Sequence, residues 1–446
     1  MLLIRKLKNL VERVPYGIGR WAAYVPFSVR FGSFYAGMTS EVAESEGWSR
    51  EQGEAYAVEH FRRVFEYARE TFPCYRELYA LAGVGDLKIR SLEDIAKVPT
   101  IDKAWTRTHF AEFSGADKLN TGGSSGTPTP FWMDKGCWGR EWAHFHQMWE
   151  QVGYRPTDLK LAIRGKNLGS LPFKYNPVHN EFIINTYLNV KDYADELKKL
   201  FQKRDIRWFH GYPSSIYQFI LECEAVFPDV GDLFKAVKGL FLSSEFPHPY
   251  MVEKFRQYNL PFVSWYGHSE MCILARDLSG FSPEESSTKG GFQNVYHPYV
   301  TYGLTEVADG HLVGTSYHNF DMPLIRYDTG DLVEDMSGVK TPHLVSAFAI
   351  REGRSGDFIE DRNGKKIPLT ALIFGRHHHA FDIADYIQIH QDVAGKAVLY
   401  VTLKDKACRP SDALSLFDLS NVQVEFTVEF RDAPIRTGAG KLKLRV

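Results

Sequence analysis

An α/β fold is what this sequence predicts: a large N-terminal domain of parallel α/β sheet with a β subdomain, then a small C-terminal α+β domain. Three observations carry the prediction. From Leu159 onward, apolar runs such as LKLAIR, EFIINTYL, IRWFHGY, VKGLFLS and LPFVSWYG alternate with helical stretches such as YADELKKLFQKRD and SSIYQFILECEAVF. Strand and helix in alternation build a parallel sheet. Past about Gly291 the strand-like runs follow one another with turns between them, as in TYGLTEVAD and GHLVGTSY. The chain has 446 residues, and single cores stop growing near ~250–300 residues.

Taken in order, the first residues place Leu3, Ile4, Leu7, Leu10, Val11 and Val14 at helical spacing among Arg5, Lys6, Lys8 and Arg13. Such a segment either packs on the protein with its basic side in water or lies on an anionic membrane surface. It is never apolar for long enough to be a signal peptide or a membrane span. The expected location is therefore the cytoplasm, with peripheral contact at the inner face of the membrane through residues 1–30 as the alternative. Residues 54–83 show an apolar period near 3.6 interrupted at Pro73, which predicts two helices within a helical lead-in over 1–115. The α/β core and β subdomain follow over 116–353. Residues 354–446 open with GDFIEDRNGKKIP, a hairpin by its Asn363-Gly364 turn. ADYIQIHQD, KAVLYVTL and VQVEFTVEF then surround a helix.

Composition excludes several classes. With 53 Lys+Arg against 55 Asp+Glu the net charge is −2, which argues against an electrostatic nucleic-acid binder. Hydrophobic residues at 44% and charged residues at 24% describe a soluble, ordered protein. The five cysteines, Cys74, Cys137, Cys223, Cys272 and Cys408, are odd in number and form no CxxC pair, so neither disulfides nor a thiolate zinc site is expected. The run Arg376-His-His-His379 is read as a surface feature, because consecutive side chains on a strand point to opposite faces.

The strongest local signal is TGGSSGTPT at residues 121–129. Seven consecutive positions drawn from Thr, Gly and Ser leave amides and hydroxyls free to surround an anion. A phosphate cradle and a flexible surface loop are both open on composition alone. A Walker A loop is excluded, since the Gly-Lys-Ser/Thr ending is missing.

Further segments in a fixed order decide between these readings. The loop resembles the phosphate loop of the adenylate-forming superfamily, in the branch that includes phenylacetate–coenzyme A ligases and the capsular-polysaccharide proteins called CapK. YGHSE at 266–270 looks like that family's Tyr-Gly-x-Thr-Glu element, and PLIRYDTGD at 323–331 is similar to its Arg-Tyr-x-Thr-Gly-Asp element. GRSGD at 353–357 matches the Gly-Arg-x-x-Asp hinge, and RTGAGK at 436–441 the terminal Arg-Thr-x-x-Gly-Lys. FEYARETFPCYRELY at 65–79 and VPTIDKAWTR at 98–107 look like the helical lead-in of this branch. The resemblance runs from about residue 55 to the end of the sequence.

It implies the following roles. Thr121, Ser124, Ser125 and Thr127, with the amides of Gly122, Gly123 and Gly126, would hold the phosphates of ATP. Glu270 would bind Mg²⁺, a hard ion suited to oxygen donors. Asp331 would accept both ribose hydroxyls, and Tyr266 would border the adenine. Gly267, Ser269, Ser244 and Glu245 would also border the nucleotide, and Arg354 would approach its ribose and phosphates. Apart from the resemblance, WFHGYP at 208–213 lies at a strand end before a helix, where α/β sheets place their ligands, so His210, Gly211 and Tyr212 would line the acyl pocket, with His268. Lys441 would bridge the carboxylate and the α-phosphate, with Lys443 as the competing candidate. The loop departs from the family in ending at Thr129 where many relatives carry Lys. In the hinge, Gly356 stands where an Asp is usual, and its conformational freedom suits the pivot of a mobile C-terminal lid.

The expected function is an ATP- and Mg²⁺-dependent ligase that forms an acyl-AMP and passes the acyl group to a sugar amine or hydroxyl in surface-polysaccharide assembly. The alternatives are an acyl-CoA synthetase using coenzyme A, an adenylyltransferase like coenzyme F390 synthetases, and a non-catalytic nucleotide-binding scaffold.

Overall fold

The computed structural model describes residues 14–120, 129–166, 168–247, 249–281, 294–338, 344–350, 358–369, 372–373, 376, 378–405, 409–435 and 444–446. The lead-in is helical, as its periodicity predicts. Helix Arg50–Thr71 starts at a capping box made by Ser49 and Gln52 and buries Ala57, Phe61, Val64, Phe65 and Ala68, which recur at three- and four-residue spacing along one face. Phe72 is extended, and Pro73 opens helix Pro73–Leu81 at a position where its missing N–H costs nothing.

Strands β1 (Asp117–Asn120) and β2 (Pro130–Met133) pair antiparallel, with Asn120 opposite Pro130. The central sheet has eight strands: β3 (Leu159–Ile163), β4 (Phe173–Asn176), β5 (Glu181–Ile184), β6 (Ile206–Gly211), β7 (Gly239–Leu242), β8 (Phe262–Gly267), β9 (Leu274–Asp277) and β10 (His297–Pro298). Their order is β10-β9-β8-β7-β6-β3-β5-β4. β8, β7, β6, β3 and β5 run parallel, while β9 and β10 at one edge and β4 at the other are antiparallel. β3 and β7 are buried at every position, which is why they read as apolar runs, broken in β3 only by Lys160. Helices Ala194–Lys203 and Pro213–Val226 flank β6 in sequence, as the alternation predicts.

β11 (Gly303–Ala308), β12 (His311–Ser316), β13 (Tyr327–Asp335) and β14 (Phe348–Ile350) form the antiparallel sheet expected past Gly291. Asp309 and Gly310 join β11 to β12 with φ of 51° and 81°, the pair of positive values that a two-residue hairpin requires. β15 (Phe358–Glu360) and β16 (Lys366–Pro368) make the predicted hairpin. Asp361 stabilises its turn by accepting from the amides of Asn363 and Lys365. β17 (Ala384–Val393) pairs antiparallel with β18 (Lys396–Leu403), which pairs parallel with β19 (Glu425–Arg431). Among the described residues the helix expected with these strands is a single turn, Ala380–Ile383.

The core falls into three clusters. One joins the lead-in helices to β7–β9 and the β11–β14 sheet, and a second covers β3–β6 with their helices. The third gathers residues between 359 and 444 around Tyr187. Arg376 lies 4.0 Å over the Tyr187 ring and bonds its hydroxyl, and Lys365 reaches the carbonyl of Leu188. The described residues of the 376–379 run are not in a strand, which corrects that expectation. His378 is buried between Leu372 and Asp418, and His379 is exposed.

Candidate active site

A cleft of about 390 Å³ opens at the C-terminal ends of β3, β6, β7 and β8. The chain reverses direction across the sheet between β3 and β6, and parallel sheets bind ligands outside the strand ends at such a switch point. His210 and Tyr212 enter from β6, Ser243 and Ser244 from β7, residues 266–271 from β8, and Thr329 and Asp331 from β13. A cavity of about 60 Å³ adjoins it, sharing Ser244, Tyr266, His268 and Asp331 and adding Glu245, Tyr296 and Ile350.

Glu270 is buried between two partners. Its Oε2 lies 3.1 Å from His268 Nδ1, and its Oε1 accepts from the Tyr327 hydroxyl at 3.0 Å. Burial alone would raise its carboxyl, but the His268 hydrogen bond and charge, with Lys103 nearby, bring it down to about 2. His268 Nε2 is buried and has no hydrogen-bond partner among the described residues. The Tyr266 hydroxyl donates to Asp331 Oδ2 at 2.7 Å, which orients that carboxylate and leaves its second oxygen for a ligand.

A second buried carboxylate organises the floor. Glu181 accepts from Arg164 at 3.0 Å and from Asn176 at 3.2 Å. Burial would raise it, yet Arg164, followed by His179 and Lys160, holds it at about 2. Burial also drives the His210 imidazole well below its ordinary value, so it is neutral, and takes the enclosed Lys160 ammonium down to about 8.

The structure thus brings His210, Tyr212, Ser244, Tyr266, Gly267, His268, Ser269, Glu270 and Asp331 to one cleft. Two other expected residues lie outside the main cleft. Gly211 does not line the cleft: a Cβ there would stand 1.9 Å from the Ile163 carbonyl oxygen, so it is a packing glycine between paired strands. Glu245 lines the adjoining smaller cavity and not the main cleft, still beside Tyr266 and Asp331, and its Oε2 accepts from the Ser214 amide at the start of helix Pro213–Val226. Thr121, Gly122, Gly123, Ser124, Ser125, Gly126 and Thr127 lie outside the described residues, as do Arg354, Gly356, Lys441 and Lys443.

Sequence reasoning assigned no role to several cleft residues. Lys103 opens helix Lys103–His109, and Arg164 follows β3 directly. Trp138, Glu141, Trp142 and Phe145 come from helix Cys137–Glu150. Their i, i+3, i+4, i+7 spacing was the signal available. Cys74, His109 and Glu112 also meet, but Glu112 already bonds both the Cys74 amide and the His109 ring. Burial pushes the Cys74 thiol up to about 12, so this group satisfies itself without an ion.

No protein-family model and no curated protein matches the chain. Solved structures do match its fold. The 2-hydroxyisobutyryl-CoA ligase in the postadenylation state with 2-HIB-AMP superposes with a TM-score of 0.51 at 17% identity, over 89% of this chain and 90% of that one. The same ligase with R3-HIB-AMP gives 0.50 at 18% identity, over 89% and 90%. With 2-HIB-AMP and CoA in the thioesterification state it gives 0.50 at 16% identity, over 90% of each chain. The α/β fold is therefore shared with that CoA ligase along nearly the full length of both chains. At these identities the likeness is one of fold.

Proposed function

We propose that this protein is an ATP- and Mg²⁺-dependent ligase that activates a carboxylic acid as its acyl-AMP and passes the acyl group to an acceptor. The observation that carries this reading is the convergence of Tyr266, Glu270 and Asp331 on one cleft at the switch point of the sheet. The substrate carboxylate would attack the α-phosphate in line with departing pyrophosphate, so charge builds up on oxygens that the site must neutralise. Glu270 fits a hard cation: it is ionised, faces the cleft, and makes one protein hydrogen bond at each oxygen. Mg²⁺ held there would neutralise phosphate charge. Asp331, held by Tyr266, would accept from the ribose, and the smaller cavity beside Tyr266 and Tyr296 would take the base. The loop 121–127, Arg354 and Lys441, with Lys443 as its rival, complete this reading on the strength of the sequence resemblance. So does a lid beginning near residue 354 and pivoting at Gly356.

Two acceptors divide the reading. Resemblance to CapK supports a sugar amine or hydroxyl in surface-polysaccharide assembly, and the fold shared with a ligase that binds CoA supports a thiol. Pyrophosphate exchange with a panel of carboxylic acids, followed by transfer to CoA or to amino sugars, tests both. Exchange with at least one acid is expected. No exchange with any acid, alongside measurable ATP binding, would replace the ligase by a non-catalytic scaffold.

A peripheral membrane location is part of the proposal. Ile18, Trp21, Tyr24, Val25, Val29 and Phe34 are all exposed, although no helix among the described residues is long and apolar enough to cross a membrane. Arg20 lies 5.0 Å from the Trp21 ring, and Arg5, Lys6, Lys8 and Arg13 precede the patch in sequence. Aromatic side chains with basic neighbours suit an anionic bilayer surface. The protein should co-sediment with phosphatidylglycerol vesicles and not with phosphatidylcholine vesicles, and Trp21→Ala with Tyr24→Ala should weaken this about fivefold or more. Equal sedimentation of variant and parent would refute the assignment.

A further inference from the structure

Glu141 is a cleft residue that the adenylation chemistry leaves unused. It stands on helix Cys137–Glu150 between Trp138, three positions before it, and Trp142 and Phe145, one and four positions after it. All four line the cleft. One stripe of the helix therefore presents three aromatic rings and a carboxyl group to the ligand space. Phe145 packs edge-on against Trp142 at 5.6 Å and lies 5.1 Å from Trp265, which fixes that wall.

The carboxyl group is poorly served by the protein. Its hydrogen bond is to the Tyr302 hydroxyl at 3.4 Å, longer than a well-made O–H···O bond. It has no ion pair among the described residues. Among the described residues, the cations that line the cleft act elsewhere: Arg164 is bonded to Glu181, and the charge of Lys103 acts on Glu270. Arg140, the preceding residue on the helix, is bonded to Asp134. Desolvation by burial raises the Glu141 carboxyl to about 7, the behaviour of an acid placed in an apolar wall without a counter-charge.

We propose that Glu141, with Trp138, Trp142 and Phe145, forms a recognition site for an ammonium group carried by the acid or by the acyl acceptor. A cation there would meet a carboxylate and the faces of aromatic rings together, the two groups that compensate for loss of its water. The inference rests on reading the cleft as the place where acid and acceptor bind. It adds that one of them is a basic, nitrogen-bearing compound and not a purely apolar aryl or alkyl acid.

The test uses the full chain and calorimetric binding of two matched pairs. Para-aminomethylbenzoate against para-hydroxymethylbenzoate probes the acid, and benzylamine against benzyl alcohol probes the acceptor. In at least one pair the ammonium compound should bind about tenfold tighter or more, and Glu141→Gln should erase that preference while leaving the affinity of the neutral partner unchanged. Preference in the acid pair assigns the ammonium to the acid, and preference in the amine pair alone assigns it to the acceptor. Equal binding within both pairs by the unsubstituted protein overturns the proposal without need of a variant. So does a preference that survives in Glu141→Gln. Pyrophosphate exchange is measured separately: its absence with the preference intact would refute the ligase reading and leave the ammonium site standing.

Discussion

Glutamine in place of Glu270 is expected to lower pyrophosphate exchange by about 10²–10³-fold, the range for losing one transition-state charge contact, here the Mg²⁺ that Glu270 would hold. The substitution is nearly isosteric, and the Tyr327 hydroxyl can still donate to Oε1. Loss of the negative charge that would hold Mg²⁺ against the phosphates is thus the main change. The same group gives an acid signature. Its carboxyl titrates at about 2 against an ordinary 4.5, so the stability it contributes is fully present above pH 4.5 and is lost as pH falls towards 2. Glu270→Gln removes that dependence, and acid unfolding of the variant followed by circular dichroism should be less steep across this window. Undiminished exchange in a folded Glu270→Gln protein would remove Glu270 from the reaction.

Alanine in place of Arg326 should destabilise the protein by about 3–5 kcal/mol, because it removes one partner of a buried ion pair. Arg326 Nε donates to Glu306 Oε2 at 3.1 Å, and Glu306 is wholly buried. The guanidinium also donates to the carbonyls of Ala96, at 3.0 Å, and Val98. Those carbonyls belong to the lead-in, so one side chain ties it to the strands that carry Asp331. The loss is a large share of the ~5–15 kcal/mol that typically holds a domain folded. A fall in the urea midpoint, with partial recovery when Glu306→Leu is combined with Arg326→Met, checks the ion pair. An unchanged midpoint for Arg326→Ala would contradict it.

Arg326 shows how far the sequence can be read. The PLIRYDTGD element marked it as part of a motif and assigned it no role. Its use depends on Glu306 and on the carbonyls of Ala96 and Val98, far away along the chain. Glu270, Tyr266 and Asp331 were legible as candidates because their neighbours form recognisable elements. The hydrogen bond between Tyr266 and Asp331 joins two such elements and could be seen in neither. His210 and Gly211 are adjacent, and the strand-end rule named both. Successive side chains of a strand face opposite ways, so the cleft received His210 while Gly211 met the backbone of Ile163.

What the sequence determined by itself was the succession of elements. Period two, period 3.6 and turn chemistry are local properties, and they located β3, β5, β6, β7 and β8, the lead-in helices and β11 to β13, but not β4 or β14. Tertiary structure alone decided which faces meet. Helix Cys137–Glu150 buries Ala143, His146, Met148 and Trp149 on the protein side while Trp138, Glu141, Trp142 and Phe145 line the cleft. A helix with aromatic residues on both sides carries no local sign of which side faces a ligand. The order β7-β6-β3-β5 likewise sets the switch point that gathers Arg164 and His210, and strand order is a property of pairing at a distance, which no local pattern encodes.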